Sequence, residues 1–167
     1  MRQPKQASYT MGGQAVQINT GAKGDEMQNK EENGLIFIRL FSGEDIYHEL
    51  RKVCQKYKVE TAVVLCGIGQ LKQFELGYFK EKGNYTPQEF EKPHELLSLT
   101  GNISDQEGEY NFHLHAVLGN EERGVGGGHL IRGKVEVTNE IVLLKTNLKI
   151  KRKLNENTGL QEMLLED

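Results

Sequence analysis

Two cysteines, Cys54 and Cys66, are all that the 167-residue sequence carries. They are too few and too unpatterned for a disulfide framework or a cysteine-based zinc site, and each reads as a small buried apolar side chain. No window approaches the ~18 consecutive apolar residues of a membrane span, and residues 1–20 contain no apolar leader core. The expectation is a chain with neither a transmembrane helix nor a secretory signal, placed by default in the cytoplasm. An excess of positive charge is also missing: 21 Lys and Arg against 24 Asp and Glu leave a net charge of −3, with a pI near 6.0. That argues against a protein gripping nucleic acid or anionic membrane with its whole surface, and leaves room for a local basic patch.

Apolar residues are scarce at 37%, and mean hydropathy is −0.59. The shortage is local. Residues 1–34 hold Val16 and Ile18 as their only aliphatic side chains larger than alanine, methionine aside. Such a segment cannot bury enough surface to offset its ordering entropy, so it is expected to be a mobile arm with at most a short strand at residues 14–19. Its charges balance, so it is not a basic nucleic-acid arm. The remainder, residues 35–167, is expected to be one domain. A chain of this size removes roughly 70% of its unfolded surface from water and needs no structural metal, so any metal it holds points to function.

The domain should open with the strand Leu35-Ile36-Phe37-Ile38-Arg39-Leu40. A helix follows, with Ser42 as N-cap, Asp45 three residues on, and Ile46, Leu50, Val53, Cys54 and Tyr57 on one face; His48 falls off that stripe as a surface residue. Residues 61–66 form an apolar run that should end in a tight turn at Gly67-Ile68-Gly69. Further strands are predicted at 74–79, 96–102, 112–118, 130–137 and 141–145, and the short turns between them imply antiparallel neighbours. One helix and many strands make the fold class α+β.

Three of the five histidines fall close together, as His113-Leu114-His115 and Gly126-Gly127-Gly128-His129. Residues two apart on a strand share a face, so His113 and His115 present their imidazoles side by side while Leu114 turns inward. Chance supplies about 0.15 His-x-His pairs in such a composition, so the pair alone fits an exposed polar strand as well as a metal platform. His129, delivered by a glycine-rich loop that lets backbone approach closely, would be the third ligand. Three imidazoles with no cysteine in reach suit zinc or a similar divalent ion, and leave a fourth position for water, as catalytic zinc does. The glycine run lacks the Lys-Ser/Thr of a phosphate loop and does not open a helix. Glu107, Glu109, Glu121 and Glu122 read as solvated turn charges, whereas Glu95 enters an apolar strand and is either an edge residue or a general base. The run Lys145, Lys149, Lys151, Arg152 and Lys153, interleaved with Leu148, Ile150 and Leu154, reads as the solvent face of a protected edge strand, or as a phosphate-binding patch.

Taken in order, Leu40-Phe41-Ser42-Gly43-Glu44-Asp45, Gly67-Ile68-Gly69, Glu95-Leu96-Leu97-Ser98-Leu99-Thr100-Gly101-Asn102-Ile103, His113-Leu114-His115 and Gly127-Gly128-His129-Leu130 resemble the plants-and-prokaryotes conserved (PPC) domain family in its single-domain prokaryotic form. The resemblance runs over about residues 35–167, including Asn155-Glu156-Asn157-Thr158-Gly159-Leu160. It implies a twisted, largely antiparallel sheet with one principal helix, assembly as a homotrimer, and a metal, usually zinc, on His113, His115 and His129. The family's fold is similar to that of acetolactate decarboxylase, a zinc enzyme. By analogy this implies a lyase or hydrolase acting on a small carbonyl or carboxylate compound, with Glu95 as proton carrier. The alternative is a DNA-associated or protein-interaction module in which the metal is structural or incidental. Plant members hold DNA through a separate Arg-Gly-Arg-Pro hook, and that string is absent here. His94 stands where an aromatic residue commonly precedes the Glu, which leaves open whether it joins the site.

Overall fold

The computed structural model describes residues 26–165 together with strands β1 (Ser8–Met11) and β2 (Gln14–Gln17), an antiparallel hairpin separate from the main sheet. The strand expected at residues 14–19 is thus present as Gln14–Gln17. Half of the segment expected to be a mobile arm lies outside the described residues. Its last part does not behave as an arm, because β3 (Gln28–Glu32) forms the edge of the main sheet against β4 (Leu35–Phe41). The turn between them is Asn33-Gly34, with φ of 53° and 84°, the left-handed pair that a two-residue hairpin needs. With no apolar alternation in Gln-Asn-Lys-Glu-Glu, backbone pairing and side-chain ties hold this strand. The Lys56 ammonium donates to Asn29 Oδ1 at 2.6 Å, and the Tyr57 hydroxyl donates to the same oxygen at 2.9 Å.

The helix α1 (Ile46–Lys56) starts later than the sequence suggests. Asp45, not Ser42, is the N-cap, its carboxylate accepting from the His48 amide at 2.9 Å. Gly43, at φ 90°, first turns the chain and donates its amide to the Val135 carbonyl at 2.8 Å, so Ser42 is still leaving the strand. The helix buries Ile46, Leu50, Val53 and Cys54, which is the predicted face, and leaves His48 exposed.

Two long strands replace four predicted short ones. The strand β5 (Thr61–Glu81) runs straight through Gly67-Ile68-Gly69, and its expected turn is instead a stretch of shifted register against β9 (Val125–Thr146). The glycines are there for contact. A Cβ on Gly67 would stand 2.8 Å from Leu99 Cβ, and one on Gly69 would lie 2.0 Å from the Thr138 carbonyl oxygen. Likewise β9 joins segments 130–137 and 141–145 and takes in the glycine run before His129, which is strand and not loop. Between the two long strands lie β6 (Asn84–Phe90), β7 (His94–Gln106) and β8 (Glu109–Gly119).

All pairings are antiparallel, in the order β3-β4-β9-β8-β7-β5-β6 with β9 also bonded to β5. The ladders β5–β7, β7–β8, β8–β9 and β9–β5 therefore close on themselves in a barrel-like ring. Its interior, filled by Leu71, Phe74, Leu99, Ile103, Leu114 and Ile141 among others, continues under α1. Finally, β10 (Ile150–Leu154) and β11 (Gln161–Leu165) form their own hairpin, so the basic run is not the edge of the main sheet. Cys66 also departs from expectation: it is exposed, while Cys54 is buried. The mainly antiparallel sheet and a single helix among the described residues fit the α+β class.

Candidate metal centre

The alternation in β8 does what its spacing dictates. Leu114 and Ala116 are buried in the ring, and His113 and His115 stand outside it. The ladder then adds what the spacing alone does not specify, because His115 is directly opposite His129 of β9. Cross-strand partners share a face and bring their Cβ atoms to about 5 Å, so the third imidazole joins the first two. Glycine makes this approach feasible. A Cβ at Gly127 would lie 2.8 Å from the Ala116 carbonyl oxygen, and one at Gly128 would lie 2.9 Å from the Gly77 carbonyl oxygen. Next to His129, the Leu130 carbonyl accepts the Tyr47 hydroxyl from α1, which pins β9 at this point.

The three rings offer one nitrogen each, all within 4.8 Å of one another. The Nε2 atoms of His113 and His115 are 3.2 Å apart. Two nitrogens held at 2.0–2.1 Å from one tetrahedral ion are separated by about 3.3 Å, so the spacing fits a shared zinc. Electrostatics point the same way. Burial first, then His113 and His115, hold the His129 imidazole down at about 4. Burial, then His115 and the Arg152 guanidinium, lower His113 as well. Both rings are therefore neutral at pH 7, the form in which imidazole donates to a metal.

The histidines open onto a cleft of about 1230 Å³. Tyr78 of β5 and Tyr85 of β6 form one wall, and Arg152, Leu160 and Met163 of the β10–β11 hairpin form another. Arg132 bonds Glu75 and Glu89 at 2.9 Å each, tying β9 to β5 and β6 and so fixing the wall that carries Tyr85. The same outer face carries apolar side chains. The row His113, Asn102, Val63, Leu144 and Leu35 crosses β8, β7, β5, β9 and β4 as successive direct partners.

Other residues singled out in the sequence lie elsewhere. Glu95 pairs with Gly119 at the far end of β7 and accepts from Gln70 Nε2 at 2.8 Å. It stands five residues along the strand from Thr100, the partner of His115, which is roughly 16 Å at strand rise. Within the chain it therefore does not meet the histidines. His94 packs edge-on against Phe74 and Phe90, with Nδ1 3.0 Å from the Lys92 carbonyl oxygen, and it too is apart from the cluster. Arg152 is the reverse case: read within the basic run as an edge-strand charge or part of a phosphate-binding patch, it lines the histidine cleft. Its sequence signal was the basic run as a whole, and nothing local tells which face of the sheet a distant hairpin will cover.

A largely antiparallel sheet carrying one helix and an outward three-histidine cluster defines a small α+β domain with a candidate metal centre. The chain belongs to the Plants and Prokaryotes Conserved (PCC) domain family, whose model matches residues 27–147. Among solved structures it is similar to a plant- and prokaryote-conserved protein of Pyrococcus horikoshii, with 35% identity and a TM-score of 0.69 over 86% of this chain and 99% of that one. A metal-containing protein of Archaeoglobus fulgidus gives 27% identity and a TM-score of 0.70 over the same shares, 86% and 99%. A Bacteroides thetaiotaomicron protein, provisionally named DNA-binding, shares the fold at 24% identity and a TM-score of 0.79, over 86% of this chain and 100% of that one. The chain spans only 16% and 20% of the length of the curated relatives it matches, two Synechococcus proteins named bifunctional protein GlmU, at 30% and 26% identity over 64% and 77% of this chain. No helix among the described residues is long and apolar enough to cross a membrane.

Proposed function

We propose that this protein is a metal-binding PPC-domain protein whose His113, His115 and His129 hold one divalent ion, zinc by the chemistry of an all-imidazole set. The observation that carries the reading is the convergence of three imidazole nitrogens within 4.8 Å on one face of paired strands, with two of the rings held neutral. Three ligands leave a position for water or a small oxygen ligand. An ion so held supplies Lewis acidity, lowering the pKa of bound water toward ~7 or polarising a carbonyl. The chain's own part is to hold the His113 and His129 imidazoles neutral, aim all three rings from a rigid ladder and wall the cleft with Tyr78, Tyr85 and the C-terminal hairpin. An enzymatic use would be lyase or hydrolase chemistry on a small carbonyl or carboxylate compound.

Assembly as a homotrimer in the cytoplasm belongs to the same proposal. Its support is the outer apolar row: Val63 and Leu144, direct partners, are 41% and 38% exposed, and neighbouring Leu65 and Phe37 are 47% and 56% exposed. Residues that open in one copy are covered if a second copy packs on that face.

The test is metal analysis of purified protein beside a His113→Ala/His115→Ala variant. Close to one equivalent of zinc per subunit in the parent and loss of it in the variant is expected. Below about a tenth of an equivalent in the parent, at a pH that keeps histidine neutral, the reading fails. A DNA-associated role would show instead as duplex binding that weakens steeply with salt.

A further inference from the structure

The histidine cleft is lined by one guanidinium, that of Arg152, and by two carboxylates, those of Glu81 and Glu162. Arg152 enters the same cleft from β10 and is half-buried. Its Nη2 donates to the side-chain oxygen of Asn102, the direct cross-strand partner of His113. Among the described residues no carboxylate pairs with it. Neither acid bonds the guanidinium: Glu162 accepts instead from Asn155 Nδ2 at 2.9 Å and Thr158 Oγ1 at 3.1 Å. A guanidinium that has lost part of its hydration and gained only one neutral amide acceptor is under-satisfied, since its planar fork offers five donors and matches a carboxylate edge to edge.

We infer that Arg152 is an anion clamp: the cleft binds a small carboxylate compound, whose carboxylate sits against the Arg152 guanidinium while the rest of the molecule lies toward the three histidines. Carboxylate is favoured over phosphate because the cleft supplies one fork. No second Arg, no Lys and no helix N-terminus lines the cleft to share the charge of a phosphate. The flanking Tyr85, Leu160 and Met163 suit a ligand with an apolar portion. The clamp is supplied by the C-terminal hairpin, β10 and β11, which follows the main sheet. The inference deepens the metal reading by naming the ligand class, and rests on it for the ligand's orientation.

The experiment titrates zinc-loaded and metal-free protein with butyrate and with butyramide, its neutral isostere, followed by amide NMR shifts. Saturable shifts in β8, β9 and β10 with butyrate, and binding of butyramide at least about tenfold weaker, are expected. Arg152→Met should weaken butyrate binding by a similar factor with unchanged zinc content and melting temperature, and Arg152→Lys should recover part of it. Asn102→Asp, which keeps Arg152 but gives it an internal carboxylate, should also lose butyrate binding. Equal binding of the two probes, wild-type affinity in Arg152→Met, or no saturable butyrate shift in either metal state overturns the inference. Failure to take up zinc would sink the metal reading, while the metal-free titration still decides the role of Arg152.

Discussion

His115 and His129 face each other as direct partners across the β8–β9 ladder, so two imidazoles from consecutive strands are held at fixed spacing by backbone hydrogen bonds. Replacing His129 removes one ligand without touching the pair on β8. His129→Ala is expected to lower zinc affinity by more than the 10–100-fold that loss of a mere supporting contact costs. Competition against a chelating dye measures it, and retention of parental affinity would show that the third imidazole is not a ligand.

The two glycines before His129 are expected to resist any side chain. The Cβ of Gly127→Ala or Gly128→Ala would fall under 3.0 Å from a backbone oxygen of a neighbouring strand. Backbone cannot yield as a flexible side chain does, so β9 must shift. A cost of about 1–3 kcal/mol is expected, as for overpacking, with weakened zinc binding because His129 moves with its strand. Urea unfolding and zinc titration of the two variants check both.

Metal-free protein should lose stability on acidification through His129. Its folded pKa, about 4, lies below the ~6.5 of an unfolded histidine. The unfolded chain therefore takes up a proton that the folded site refuses, and stability falls as pH drops from about 6.5 toward 4 and levels off below. In EDTA, urea midpoints of the parent should fall more steeply over this window than those of His129→Gln. Parallel curves would mean the ring is not held neutral.

Leu114 is fully buried between the two β8 histidines. Leu114→Ala is expected to cost about 2–5 kcal/mol as a core truncation, and to lower zinc affinity through loosening of β8. Calorimetry with and without zinc separates the two effects.

Val63 and Leu144 present the outer apolar row. Val63→Asp is expected to shift the assembly toward monomer in sedimentation experiments while leaving the far-ultraviolet spectrum intact, since the side chain already points to solvent within the subunit. An unchanged sedimentation coefficient would place the subunit contact elsewhere.

Much of this was legible in the residues. Alternation made His113 and His115 co-facial, and the helical stripe from Ile46 to Cys54 is the one that is buried. What misled was glycine. Gly67, Gly69 and Gly126-Gly127-Gly128 read locally as turns or loop, yet they lie within long strands, where at all but Gly126 a missing Cβ admits a neighbouring strand or side chain. The polar β3 went unread because its place depends on an Asn-Gly hairpin and ties to Asn29, not on hydrophobic pattern.

By itself the sequence determined the local periodicities: which residues share a face of a strand or helix, and that an all-imidazole donor set was available. Only the tertiary structure decided that His129 stands opposite His115, that Glu95 lies at the wrong end of β7, and that Arg152 lines the histidine cleft. Side-chain period is a property of one strand's backbone geometry. Register and the seating of a distant hairpin are set by closure of the whole ring and its packing, to which residues far apart in the chain contribute at once.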